Sequence, residues 1–153
     1  MTAGTTEQIN QDQADRERFG FLVNPDLTYR RIVFDDDTAR ETLDGMTGEV
    51  VDVAFDQDGN RFHAIFRPDA VQHGAEPNPV ASLARNTAET DNPEFLTDPT
   101  RAISGPVIFT ARDGASVDER TIDKVLQAIR AVENYRDDNA EEFELWRNAV
   151  KNR

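Results

Sequence analysis

Two rhythms of apolar residues alternate along this chain. Residues 19–24 and 28–34 are short runs of aromatic and β-branched residues on either side of Asn24-Pro25-Asp26. Proline presets φ there and Asn and Asp bond to nearby backbone, so the stretch predicts a β-hairpin. A second hairpin is predicted from residues 49–55 and 61–67, where Val51, Val53 and Phe55 alternate with Asp52 and Ala54 before a turn at residues 56–60. Residues 107–111 (VIFTA) read as one more strand.

Between and after these strands the period lengthens to that of a helix. Asp37-Thr38 followed by Glu41 predicts a capped helix with Ala39, Leu43 and Met46 on one face, ended by Gly45 and Gly48. Residues 79–84 predict a short helix with Pro79 at its start. Ser116 and Glu119 form a capping box for a helix over residues 117–135, in which Val117, Ile122, Val125, Leu126, Ile129, Val132 and Tyr135 recur at helical spacing. Asp137-Asp138-Asn139 then breaks the chain before a last helix, 140–150, with Phe143, Trp146 and Val150 on one face.

The sum is an α+β domain built on an antiparallel sheet of about five strands, with helices on one face and a C-terminal helical extension. The expected organisation is a mobile tail over residues 1–18, an α+β domain over 19–112, and C-terminal helices over 113–153. Beyond alanine and the initiator methionine the tail carries one aliphatic residue, Ile9, too little apolar surface to offset the entropy of ordering.

Composition narrows the class of function. A chain of 153 residues suffices for one core, since a domain of that size buries roughly 68–70% of its unfolded surface. Cysteine is absent, which excludes disulfides, thiol catalysis and thiolate metal sites. The first eighteen residues lack the apolar stretch of a secretion signal, and no window is apolar enough to span a bilayer. A cytoplasmic protein is expected. Thirty acidic against seventeen basic residues give a formal charge of −13, which opposes direct binding to nucleic acid or anionic membrane. Only two of the basic residues are lysines and aspartate outnumbers glutamate eighteen to twelve, a bias that genome composition or salt adaptation also produces.

No string of residues fixes a reaction, and no cofactor or metal is expected. Asp56-Gln57-Asp58-Gly59-Asn60 resembles the start of a calcium loop, but glycine stands fourth and Arg67 twelfth, where such a loop needs glycine sixth and glutamate twelfth. A hairpin turn explains the string. His63 falls in a predicted strand and His73 in a loop, without the spacing of metal ligands. Ser82, Ser104 and Ser116 lack the flanking residues of a nucleophile elbow.

What the sequence offers instead is charge and one apolar stripe. Asp35, Asp36 and Asp37 form one acidic cluster, and Asp137, Asp138, Glu141, Glu142 and Glu144 form another. Either is solvated surface or a contact for a basic partner. Phe143 and Trp146 are candidate interface anchors if the last helix presents its stripe to another chain.

The opening strand pair, the short helix ending in glycine, the strand EVVDV, Asn78-Pro79-Val80-Ala81 and Ile103-Ser104-Gly105-Pro106-Val107-Ile108 together resemble a small family of unknown function found in phages, plasmids and actinobacterial genomes. The likeness covers about residues 19–112, and the extension 113–153 lies outside it. It implies a mobile-element setting with no known activity, in which interference with a host protein is more plausible than metabolic catalysis.

The expected function is therefore an acidic binding or regulatory protein that engages a basic, nucleic-acid-binding protein, in its strongest form by mimicking DNA. The alternatives are an assembly subunit that forms a homo-oligomer through the C-terminal helix, and a hydrolase using paired carboxylates near His63.

Overall fold

The strand with the most continuous apolar sequence lies at the centre of the sheet. A computed structural model describes residues 17–43, 51–57, 60–90 and 99–152. It contains β1 (Arg18–Val23), β2 (Tyr29–Phe34), α1 (Asp36–Thr42), β3 (Val51–Gln57), β4 (Asn60–Phe66), α2 (Pro79–Thr90), β5 (Val107–Thr110), α3 (Glu119–Asp138) and α4 (Ala140–Lys151). The sheet order is β2-β1-β5-β4-β3, with every neighbouring pair antiparallel. The two hairpins foreseen from sequence flank β5, which pairs with β1 on one side and β4 on the other. All four β5 residues are buried, because both faces of the sheet are covered at this point.

On one face, Phe21, Val23, Phe62, Phe66, Val107 and Phe109 meet α2 and α3 and Phe143 of α4 in the main core. On the other, Leu22, Phe34, Ile65 and Ile108 pack under Ala39 and Leu43 of α1. The α+β class, the antiparallel sheet and the C-terminal helices agree with expectation. The placement of helices on one face is corrected: the central strands are apolar on both sides, and α1 covers the second. Gly20 permits this packing, since a Cβ there would lie 2.5 Å from Ile108 Cγ2 and 2.7 Å from Phe34 Cε1.

Helix ends also differ from expectation. The first helix is capped by Asp35 rather than Asp37: its carboxylate accepts from the Thr38 amide at 2.9 Å, and the Thr38 hydroxyl accepts from the Asp35 amide at 2.7 Å. The helix after Pro79 runs on to Thr90, as Leu83, Ala84 and Ala88 continue the core-facing stripe beneath polar neighbours. Asp118, not Ser116, caps α3, accepting from the Thr121 amide at 2.8 Å. Ser116 Oγ instead accepts from the Phe19 amide at 3.0 Å and ties the start of α3 to β1. The helix then extends to Asp138, leaving only Asn139 before α4. The expectations for residues 1–16, for Gly45, Met46 and Gly48, and for the turn at Asp58-Gly59 lie outside the described residues. No helix among the described residues is long and apolar enough to cross a membrane.

Candidate binding surfaces

The two acidic clusters lie on opposite layers of the molecule. Asp35, Asp36 and Asp37 start α1, on the face of Leu22 and Ile108, whereas the C-terminal acids belong to the helical layer over the main core. No single contact row can use both. Asp35 is further committed to its cap, and the Thr38 amide holds its carboxyl below the usual range. Asp36 lies 3.6 Å from Arg18. Asp37 is exposed.

The C-terminal acids gather where α3 turns into α4. Asp137, Asp138, Glu141, Glu142 and Glu144 are all exposed. Arg136 faces Asp137 at 3.7 Å and Arg147 faces Glu144 at 2.7 Å, so two of the five have a cationic neighbour. Helical spacing sets Glu141, Glu142 and Leu145 near one another on the outward side of α4, and Asp138 ends α3 just before the break at Asn139. Leu145 is 69% exposed, the most exposed large apolar side chain among the described residues. Glu141 and Glu142 suit the positive N-terminal end of α4, which has no side-chain cap, but Asp137 and Asp138 oppose the dipole at the C-terminal end of α3. Helix stability alone does not explain that pair.

Phe143 and Trp146 are corrected as interface anchors. Both are 6% exposed and Val150 is fully buried. The stripe docks on its own domain: Phe143 joins the main core, and Trp146 and Val150 pack with Val71 and Ala102.

Near this elbow a groove of about 590 Å³ lies between the β1–β2 turn, the start of α2 and α4. Four prolines, Pro25, Pro77, Pro79 and Pro106, stiffen its walls. Its acids are already partnered. Asp26 accepts from Thr28 Oγ1 at 2.6 Å. Glu76 accepts from Arg147 at 2.8 Å and from Lys151 at 3.0 Å. Thr28 holds the Asp26 carboxyl below its ordinary range. Lys151, and then Arg147, do the same for Glu76. A carboxylate-based hydrolase needs one acid raised while another stays ionised. Of the three acids that line the groove, Asp26 and Glu76 are shifted down and Glu144 pairs with Arg147 at 2.7 Å, and His63 does not line it, so its geometry gives that alternative no support. His63 is half-buried in β4, with Nε2 accepting from the Asp113 amide at 3.2 Å. His73 is exposed and lies 3.2 Å from Asp69.

A depressed carboxyl pKa stabilises the fold above the unfolded-state value, and that contribution is lost as pH falls. Glu76→Gln is therefore expected to flatten the decline of the urea midpoint from about pH 4.5 downward, with a uniform offset above it. A slope unchanged by the substitution would remove Glu76 from the acid transition.

Sequence reasoning missed the role of Asn78. It is fully buried, and its Nδ2 donates to the carbonyls of Val23 and Gly105, each at 3.0 Å. Its Oδ1 accepts from the Ala81 amide at 3.1 Å and caps α2, with Pro79 in the first helical position. Ser82 Oγ donates to the Asn78 carbonyl at 2.8 Å and accepts from the Ile103 amide at 3.0 Å. An asparagine directly before a proline that opens a helix was the available signal. Two of the strings that carry the sequence resemblance, 78–81 and 103–108, thus meet in one buried network. Ser104 is buried beside it and Ser116 serves β1, so none of the three serines stands as a nucleophile.

No protein-family model, curated protein or solved structure matches the chain. Function is read from the residues themselves.

Proposed function

We propose that this chain is a binding or regulatory protein, of phage or mobile-element origin, that engages a basic protein partner through the elbow between α3 and α4. The observation that carries the reading is the exposure of Asp138, Glu141, Glu142 and Leu145 together at the turn from α3 into α4. Three carboxylates with no ion pair among the described residues supply long-range attraction to a basic surface, and the leucine supplies apolar area that water leaves on contact. The α1 acids, on the opposite layer, are not part of this contact.

Charge density favours a protein surface over duplex geometry as the thing imitated. Duplex DNA sets a charge about every 1.7 Å along a straight axis, whereas the acids of the elbow lie on either side of the helix break at Asn139. The elbow places five acids around this bend, two of them faced by arginine. It attracts a basic surface without matching DNA charge for charge.

The test is a pull-down from native lysate with the full chain and with a triple variant, Asp138→Asn, Glu141→Gln and Glu142→Gln. The wild type is expected to retain a basic protein at low salt and to release it at high salt. The triple variant should retain on the order of tenfold less, since several contact charges are lost at once. Neutralising Glu141 and Glu142 weakens α4 by about 0.3–1 kcal/mol each through the helix dipole, so folding of the variant is checked by its melting temperature. Equal retention by the two proteins would reject the elbow. Recovery of the chain alone would favour self-association instead.

A further inference from the structure

The outer edge of β2 has no partner strand among the described residues, and exposed apolar side chains gather beside it. Phe19, Tyr29 and Val33 are 50%, 46% and 53% exposed, three of the four large apolar side chains exposed among the described residues. They belong to one patch. Phe19 and Val33 are direct cross-strand partners, and Tyr29 lies on the same face of β2 with its ring 5.4 Å from that of Phe21.

The backbone of this edge is oriented for pairing. In an antiparallel ladder, residues that exchange hydrogen bonds with one neighbour alternate with residues whose amide and carbonyl point the other way. The Asn24 amide donates to the Thr28 carbonyl at 2.9 Å, so in the register of β1 with β2 the pairs Leu22–Arg30 and Gly20–Ile32 are the hydrogen-bonded ones. Phe19 agrees, since its amide donates to Ser116 Oγ and its carbonyl accepts from the Val117 amide. The amides and carbonyls of Tyr29, Arg31 and Val33 therefore face outward from the sheet. Edges are commonly blunted by proline, lysine or a bulge. β2 has no proline or lysine, and its register runs unbroken from Tyr29 to Phe34.

Charge selects what fits. Arg30 and Arg31 are the one pair of adjacent basic residues in a chain of net charge −13. They stand near the start of β2, whereas Asp35, Asp36 and Asp37 follow its end. Arg31 meets Glu119 at 3.2 Å, an exposed pair that contributes little. A strand that is basic at its start and acidic past its end is matched by its own sequence running the opposite way.

We infer that β2 pairs antiparallel with β2 of a second copy about a two-fold axis, joining the two sheets edge to edge. Alignment of like faces restricts the axis to a residue position. At Arg31 it would set two arginines directly opposite, which is unfavourable. At Val33 it would run the ladder into Asp35, whose amide already donates to Thr38 Oγ1 at 2.7 Å. At Ile32 the two isoleucines face each other, Arg31 of each copy exchanges backbone hydrogen bonds with Val33 of the other, and Arg30 comes beside the acids that open α1. Net charge repels the copies, but salt near ~0.15 M confines that repulsion to about 8 Å. The small contact area makes the dimer a weak one. It shares no residue with the elbow and holds or fails independently of it.

Sedimentation of the full chain across the micromolar range is expected to show a monomer–dimer equilibrium. Val33→Lys sets a lysine against Arg31 of the second copy and should raise the dissociation constant about tenfold or more. Its melting temperature should hold, because Val33 is half exposed. The chain lacks cysteine, so single cysteines report the register. Opposed strand residues outside the hydrogen-bonded pairs have Cα atoms ~4.5 Å apart, within reach of a disulfide. Mild oxidation of Ile32→Cys is therefore expected to give a covalent dimer on the order of tenfold faster than Tyr29→Cys, whose two copies lie at opposite ends of the ladder. A monomer at every concentration overturns the inference and leaves the edge to a strand of another protein. So does an unchanged dissociation constant in Val33→Lys, and so does equal oxidation of the two cysteine variants.

Discussion

Asn78→Ala is expected to destabilise the protein by about 3–5 kcal/mol, because each buried group left without its partner costs roughly 1–3 kcal/mol. The groups are the Val23 carbonyl, the Gly105 carbonyl and the Ala81 amide, and Asn78 itself is fully buried, so water does not reach them without a local opening. For a chain of this size each kcal/mol lowers the melting temperature by about 2–4 °C, which places the expected fall near 10 °C. Two companions separate the contributions. Asn78→Ser keeps an N-cap acceptor and should recover about 1 kcal/mol. Asn78→Asp keeps the cap but sets a carboxylate against two carbonyls, and should fare no better than alanine. Urea unfolding of the three variants decides the matter. A loss below about 1.5 kcal/mol for alanine would mean that the strands and α2 are joined chiefly by apolar packing.

This network also shows where sequence reasoning reached its limit. The hairpins around Asn24-Pro25-Asp26 and residues 56–60 were legible because their turn chemistry and period-two alternation are local. The helix that became α3 was legible because Ile122, Val125, Ile129 and Val132 mark one face. The insertion of β5 between β1 and β4 was not, since its partners Phe21 and Ala64 lie far away in the chain and any apolar strand satisfies the same local pattern. Nor could local rules choose among Asp35, Asp36 and Asp37 as a cap. All three are good caps in isolation, and the position at which β2 ends, at Phe34, selects the first. Ser116 reads as a cap and is diverted to the Phe19 amide, a partner ninety-seven residues away.

The candidate surfaces divide in the same way. The acids of the elbow were visible one by one, and the Glu144–Arg147 pair follows from helical spacing. That Glu76 reaches Arg147 and Lys151 is a tertiary fact with no local signature. A strongly acidic composition directs attention to carboxylates and away from the one arginine buried among the described residues, Arg67. Burial, not abundance, is what distinguishes Arg67.

Trp146→Ala is expected to cost about 3–5 kcal/mol, the range for removing a buried large aromatic side chain, and to leave the molecular mass in solution unchanged. The residue contacts Val71, Ala102 and Val150, and its ring lies 6.3 Å from that of Phe143. Its loss therefore opens a cavity where α4 is fastened to the loop before β5. Trp146→Phe should be far milder, within about 1.5 kcal/mol. The indole Nε1 is buried without a hydrogen-bond partner, so phenylalanine deletes an unsatisfied donor along with part of the packing. Thermal unfolding combined with sedimentation separates this account from the anchor role considered on sequence grounds. An internal Trp146 predicts lost stability at constant mass. An interface anchor predicts the reverse, a concentration-dependent mass in the wild type that disappears in the variant with little change in melting temperature. The second outcome would return the apolar stripe of α4 to the surface and with it the assembly reading.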